Sequence, residues 1–144
     1  MKGLVATIKS IFANEVAIHV SRERVTVAWD GQSLSICPVV HVAPGPGEPR
    51  IVGIGDASPQ SERGVLVPIF GPLPAGMSLE TWVAGLHAFM NYALLQASVR
   101  IVAVRPTVHL QGVHELGQVP SGEPSQVLMN AVLRAGAIHC TVES

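Results

Sequence analysis

The sequence predicts an α/β fold with elements in the order βββ-α-β-α-β. Three observations carry this prediction. Two early stretches alternate apolar and polar residues with the period of a strand, two later stretches repeat apolar residues with the period of a helix, and a strand-like run follows each helix. In Glu15 to Val20, Val16, Ile18 and Val20 alternate with Ala17 and His19. Arg24 to Trp29 repeats the pattern through Val25, Val27 and Trp29, and the short polar link Ser21-Arg22-Glu23 makes the pair a hairpin. Asp30-Gly31 is a second turn, leading into a third strand expected over 33–42.

Residues 43–76 are rich in Pro and Gly and read as an irregular insertion with one small strand at Ile51 to Ile54. Ser78 is an N-cap, and Leu79, Trp82, Val83, Leu86, Phe89, Met90, Ala93 and Leu94 form one apolar stripe, giving a helix to about Gln96. Val99 to Val104 and Thr107 to Val113 are both strand-like, but Arg105-Pro106 between them cannot lie inside a central strand. The second run is assigned to the sheet. A helix starting at Ser121 or Glu123 runs through Val127, Leu128, Ala131, Val132 and Ala135 to a Gly136 stop, and Ala137 to Val142 is the last strand. Ahead of all this, Leu4, Val5, Ile8, Ile11 and Phe12 share one helical face, with Lys2 and Lys9 on the other. Residues 1–13 thus read as a basic amphipathic helix and 14–144 as one domain.

The composition narrows the function. A chain of 144 residues is one domain's worth. Nine Lys and Arg against ten Asp and Glu, scattered rather than clustered, give no phosphate-tracking patch, so nucleic acid is not an expected partner. Only 13% of residues are charged and mean hydropathy is +0.41, which favours a homo-oligomer or an attached protein partner. Cys37 and Cys140 have no CxxC spacing, so neither a disulfide framework nor a zinc ribbon is expected, and a cytoplasmic setting is. No apolar run reaches the ~18 residues of a membrane span, and the N-terminus lacks the continuous apolar stretch of a signal peptide.

The residues resemble the rod-shape-determining, MreB-type bacterial actins over nearly the whole chain. Ile11-Phe12-Ala13-Asn14-Glu15-Val16-Ala17-Ile18 is similar to the family's amphipathic start running into its first strand. Val119-Pro120-Ser121-Gly122, then Ala131, then Arg134-Ala135-Gly136-Ala137 are similar to its Val-Pro-x-Gly strand end, helix and Ala-Gly-Ala turn. Ile51-Val52-Gly53-Ile54-Gly55-Asp56-Ala57, and Val67-Pro68-Ile69 through Pro72-Leu73 to Met77, resemble landmarks before its long helix. The resemblance implies a ribonuclease-H-like, actin-like ATPase half domain: a mixed five-stranded sheet of order 3-2-1-4-5, with both helices on one face. It also implies partners, namely a second copy, a full-length MreB-type protein, or the anionic inner membrane surface reached through the N-terminal helix.

One departure matters more than these matches. The family's first hairpin carries Asp-Leu-Gly-Thr-x-Asn, whose glycine, hydroxyl and backbone amides approach nucleotide phosphates. Here His19-Val20-Ser21-Arg22-Glu23-Arg24 stands in its place, with His for the acid, Ser for the glycine and Arg22 for the hydroxyl. The chain also stops at Val142-Glu143-Ser144, where the family continues into a further helix and a second lobe. The expectation is therefore a non-hydrolytic interaction module with no cofactor, peripheral at the inner membrane or free in the cytoplasm. Membrane contact would fall to Lys2, Leu4, Val5, Ile8, Lys9, Ile11 and Phe12, although the same helix could pack on protein instead.

If no helix covers the second face of the sheet, the strands should alternate rather than run apolar on both sides. They do: Ala17, His19, Thr26, Ala28, Thr107, His109, Gln111, His139 and Thr141 lie opposite the apolar sets. His19, His109 and His139 share that parity and could converge on zinc, or simply wet an open face. His109 and His114 with Glu115 have a spacing that suits a helix, while the local pattern is strand and turn. An alternative reading is thus a sensor domain binding a small ligand or metal on the same scaffold. Enzyme chemistry is not expected. A nuclease needs several converging carboxylates, and the aspartates are Asp30 and Asp56, both in turns. Cys37 precedes a proline, there is no Gly-x-Ser-x-Gly elbow, and Ser121 is explained by capping.

Overall fold

Val16, Ile18 and Val20 are at most 1% exposed while His19 between them is exposed, and this alternation positions the whole domain. The computed structural model describes residues 15–43, 50–55, 65–74, 76–98, 106–120 and 122–143. Outside them lie the N-terminal segment 1–13 with its candidate membrane-contact residues, the strand-like run 99–104, Asp56 and Ser121.

Strands β1 (Glu15–Val20), β2 (Val25–Trp29) and β3 (Gln32–Ile36) form an antiparallel meander. β7 (Thr107–Gln111) joins β1 in parallel, and β8 (His139–Val142) joins β7 in parallel. The five-stranded sheet has the order β3-β2-β1-β7-β8, as expected. Asp30 and Gly31 both have positive φ, 45° and 76°, the backbone of the tight turn that joins strands with a right-handed twist.

The expected third strand over 33–42 is two strands. β3 ends at Ile36, and β4 (Val39–Ala43) belongs to a second, three-stranded sheet with β5 (Arg50–Ile54) and β6 (Val65–Pro68), in the order β5-β4-β6. The cause is Pro38, which has no N–H for a ladder. Val39 N–H bonds the Cys37 carbonyl at 2.8 Å, so the chain turns there and leaves the first sheet. β5 stands where the small strand was expected. β6 is an addition within the Pro/Gly-rich segment, anchored by buried Val67.

Helix α1 (Leu79–Ser98) starts as expected on Ser78, whose Oγ accepts the Thr81 N–H at 3.1 Å. Its buried stripe of Trp82, Leu86, Phe89, Met90, Ala93, Leu94 and Ala97 packs on β2, β4 and β5, so one helix closes both sheets into one core. A Cβ on Gly85 would sit 3.3 Å from Val40 Cγ2, a measure of how closely the helix lies on the small sheet. The Trp82 indole N–H donates to the Ile69 carbonyl at 2.9 Å.

Helix α2 (Pro124–Arg134) packs on β8 and α1. Of the two expected starts, Glu123 is the cap, its carboxylate accepting the N–H groups of Ser125 at 3.2 Å and Gln126 at 3.0 Å, with Pro124 in the first turn. At the other end Gly136, with φ 120°, follows the Ala135 C-cap. Gly136 N–H bonds Leu133 and Ala137 N–H bonds Val132, which satisfies the last carbonyls and turns the chain into β8.

The bonds from Gln126 and Ser125 hold the Glu123 carboxyl below its ordinary value of 4.5. A carboxyl lowered on folding contributes stability that is present above the unfolded value and lost as pH falls through the folded one. Urea midpoints of wild type and Glu123→Gln should therefore converge as pH is taken below about 4, with wild type the more stable near neutrality. A constant gap between the two would mean that the charge on Glu123 does not support the helix.

Candidate functional site

Parallel strands direct their C-terminal ends to one rim of a sheet, where α/β folds place ligands. Here that rim gathers the β1–β2 turn, the 3₁₀ turn Val113–Leu116 after β7, and the segments 117–120 and 71–74. A hollow of about 620 Å³ opens there, lined by Arg22, Pro72, Leu73, Leu79, Gln118 and Val119 among others.

The four residues expected to replace a phosphate loop lie at this rim, and the turn they form is closed. Ser21 N–H bonds the Arg24 carbonyl at 3.0 Å. The Ser21 hydroxyl accepts the Arg24 N–H at 3.0 Å and donates to the Arg24 carbonyl at 2.8 Å. Arg22 reaches across the rim, and its Nε and Nη2 both donate to the Leu116 carbonyl, at 3.1 and 2.7 Å. Two glycines make this possible. A Cβ on Gly117 would lie 3.2 Å from Arg22 Nη2, and one on Gly112, whose φ is 79°, would lie 2.5 Å from the Val20 carbonyl oxygen and 2.9 Å from His19 Cε1. His19 and Val20 are thus set against Gly112, and Ser21 and Arg22 against each other's turn and Leu116. The result is a clasp between the ends of β1 and β7.

The Val119-Pro120-Ser121-Gly122 landmark does not end a strand. β7 stops at Gln111, and Val119 and Gly122 form an isolated antiparallel bridge beyond the 3₁₀ turn. His114 and Glu115 fall within that turn, and both are exposed. Asp30 sits in the β2–β3 turn.

The second candidate region is the sheet face away from the helices. His19, His139 and Thr141 are exposed there, while Ala17, Thr26, Ala28, Thr107, His109 and Gln111 are half-buried. The register separates the three histidines. His109 is opposite Ala17 and Thr141, His19 is opposite Gln111, and His139 is opposite Thr107, so the imidazoles run diagonally away from one another. Among the described residues no group of three potential ligands is placed to hold a metal ion, so the possible His19, His109, His139 cluster does not form.

His109 instead has partners that the residue pattern did not single out. Its Nδ1 is 2.9 Å from Thr141 Oγ1 and 3.8 Å from Glu143 Oε1, and its Nε2 is 3.5 Å from Glu15 Oε1. Gln111 Nε2 donates to Glu143 Oε2 at 3.0 Å. These contacts tie β1, β7 and β8 together across the open face. The only signal in the sequence was the parity Glu15, Ala17 and Thr141, Glu143. Beside the cluster a shallow hollow of about 480 Å³ is lined by Glu15, Ala28, Trp29, Asp30, Ser33 and His109 among others.

Neither Cys37 nor Cys140 is in a disulfide, and burial pushes the Cys140 thiol up to about 11. No known family model and no curated protein matches the chain. Among the described residues no helix is long and apolar enough to cross a membrane.

Proposed function

We propose that this chain is an actin-type domain on a ribonuclease-H-like scaffold, of the rod-shape-determining kind, and that it works by associating with a second copy of itself without hydrolysing ATP. The observation that carries this reading is the Arg22 clasp. A phosphate cradle needs free backbone amides and a close approach without side chains. In this turn the N–H groups of Ser21 and Arg24 are committed within the turn, and Arg22 directs two donors to Leu116.

Association is supported by the open sheet face and by aliphatic side chains left in water, including Leu95 and Ile138, on a chain with few charges. The sheet order β3-β2-β1-β7-β8 supports the scaffold assignment. The segment 1–13 is the part proposed to bring an assembled form to an anionic membrane, since one short basic helix binds weakly unless several copies act together.

Sedimentation equilibrium with and without Mg-ATP tests this reading. The expected result is the same mass in both, above the 15.1 kDa of one chain. A monomer that assembles only with Mg-ATP would overturn the lost-nucleotide argument, and a monomer under both conditions would overturn self-association.

A further inference from the structure

The β1–β2 turn fixes which way each backbone group of the meander points. Ser21 N–H donates to the Arg24 carbonyl at 3.0 Å, so these two residues are a hydrogen-bonded pair, and such pairs recur at every second position of an antiparallel ladder. Through the register His19↔Thr26 and Ala17↔Ala28, the N–H and C=O groups of Thr26 and Ala28 face β1, which leaves those of Val25, Val27 and Trp29 facing β3. Their partners in β3 are Ile36, Leu34 and Gln32. The β2–β3 turn agrees, because a two-residue loop with positive φ at both Asp30 and Gly31 closes on a hydrogen-bonded pair of Trp29 and Gln32. The backbone groups of Ser33 and Ser35 therefore point out of the sheet. Among the described elements β2 alone packs extensively on β3, and residues 32–35 are exposed. β3 is thus an open edge of the five-stranded sheet, and it carries neither the charge nor the proline that usually guards one.

We infer that β3 pairs antiparallel with β3 of a second copy about a two-fold axis at Leu34, joining the two sheets into one. The inference rests on the self-association reading above and names its surface. A second copy is the occupant because Ser33-Leu34-Ser35 reads the same in both directions. An axis at its centre sets Ser33 opposite Ser35 of the second copy and the reverse, so every outward N–H and C=O of these residues finds a partner. On the helix side the two Leu34 side chains, each 38% exposed in one chain, form the close, non-hydrogen-bonded pair and cover each other. With no charged residue in β3, no like charges meet across the axis. Neighbouring registers are worse. An axis at Ser33 sets Ser35 against Gly31 in the turn, and an axis at Ser35 sets Ser33 against Cys37, whose carbonyl already accepts the Val39 N–H at 2.8 Å.

Sedimentation and crosslinking decide this. Ser33→Pro removes an outward N–H without touching the β2 ladder, so far-UV dichroism should be unchanged while the sedimentation mass falls from twice 15.1 kDa to 15.1 kDa. Ser33→Thr keeps the N–H and should remain dimeric. In a Cys37→Ser, Cys140→Ser background, Leu34→Cys sets two thiols across the axis. Copper-phenanthroline in air should join them, each losing one proton and one electron to oxygen as the S–S bond forms, and the product is read on a non-reducing gel. Gln32→Cys in the same background should give no crosslink, because position 32 lies opposite Ile36 of the second copy and far from its own symmetry mate. A dimer lost in Ser33→Pro and crosslinked through position 34 but not 32 supports the edge. Crosslinking through position 32 and not 34 overturns the register. A wild-type dimer that survives Ser33→Pro and crosslinks through neither position places association elsewhere and overturns only the edge. A wild-type monomer overturns both readings. If Ser33→Pro fails to fold, the two crosslinks decide.

Discussion

Trp82→Ala should lower the stability of the domain by about 4–8 kcal/mol, a large part of the roughly 5–15 kcal/mol that holds a domain together. The side chain is 2% exposed and stands at the start of the buried stripe of α1, where that helix spans the junction of the two sheets. Truncation removes one of the largest buried side chains, a loss of about 3–5 kcal/mol, and orphans the Ile69 carbonyl, adding about 1–3 kcal/mol. Trp82→Phe separates the two contributions. Phe keeps most of the apolar volume but offers no N–H, so a loss of about 1–3 kcal/mol is expected in urea unfolding. Equal losses in the two variants would mean that the carbonyl bond dominates and the volume matters little, contrary to the packing described above.

How far the fold could be read from residues depended on whether its causes were local. Val16, Ile18 and Val20 against Ala17 and His19 announce a strand with one wet face, because burial acts on each side chain separately. Ser78 and Gly136 mark helix ends because capping is settled within one turn. Pro38 also acts locally, yet its effect is not legible in the pattern, since apolar alternation on either side of it suggests one continuous strand over 33–42. The proline does not merely weaken that strand. It moves β4 into another sheet. β6 was hidden for a different reason: Val65–Pro68 is four residues long within a Pro/Gly-rich stretch and gains its identity only by pairing with β4.

The candidate site divides along the same line. That Ser21-Arg22-Glu23 links two strands is visible in the residues. The clasp it makes is not, because Arg22 finds Leu116 at a separation of 94 residues. The histidines on the open face show the limit of parity. Parity names the face, and His19, His109 and His139 do share it. Convergence depends on register, and the parallel pairings set each imidazole beside a different neighbour. The same register brings Glu15 and Glu143 to His109 from the strands on either side of β7, with no motif to announce either.

Gly112→Ala should cost about 3–5 kcal/mol, because two penalties coincide at the end of β7. With φ at 79° the backbone is left-handed, which strains any residue carrying a Cβ by about 1–2 kcal/mol. The added Cβ would also fall 2.5 Å from the Val20 carbonyl oxygen and 2.9 Å from His19 Cε1. The exposed His19 ring can swing away, but Val20 is fully buried in β1 between β2 and β7, so the backbone contact cannot relax without parting the two parallel strands. Gly31→Ala is the matching control. Its φ of 76° carries the same strain, with nothing within 4 Å of the new Cβ, and it should cost only about 1–2 kcal/mol. The difference between the two urea midpoints therefore measures the approach of β1 to β7 at the clasp. If the two glycines prove equally tolerant, the ends of β1 and β7 are looser than the interlock of Val20, Gly112 and Arg22 requires, and the β1–β2 turn is not locked against β7.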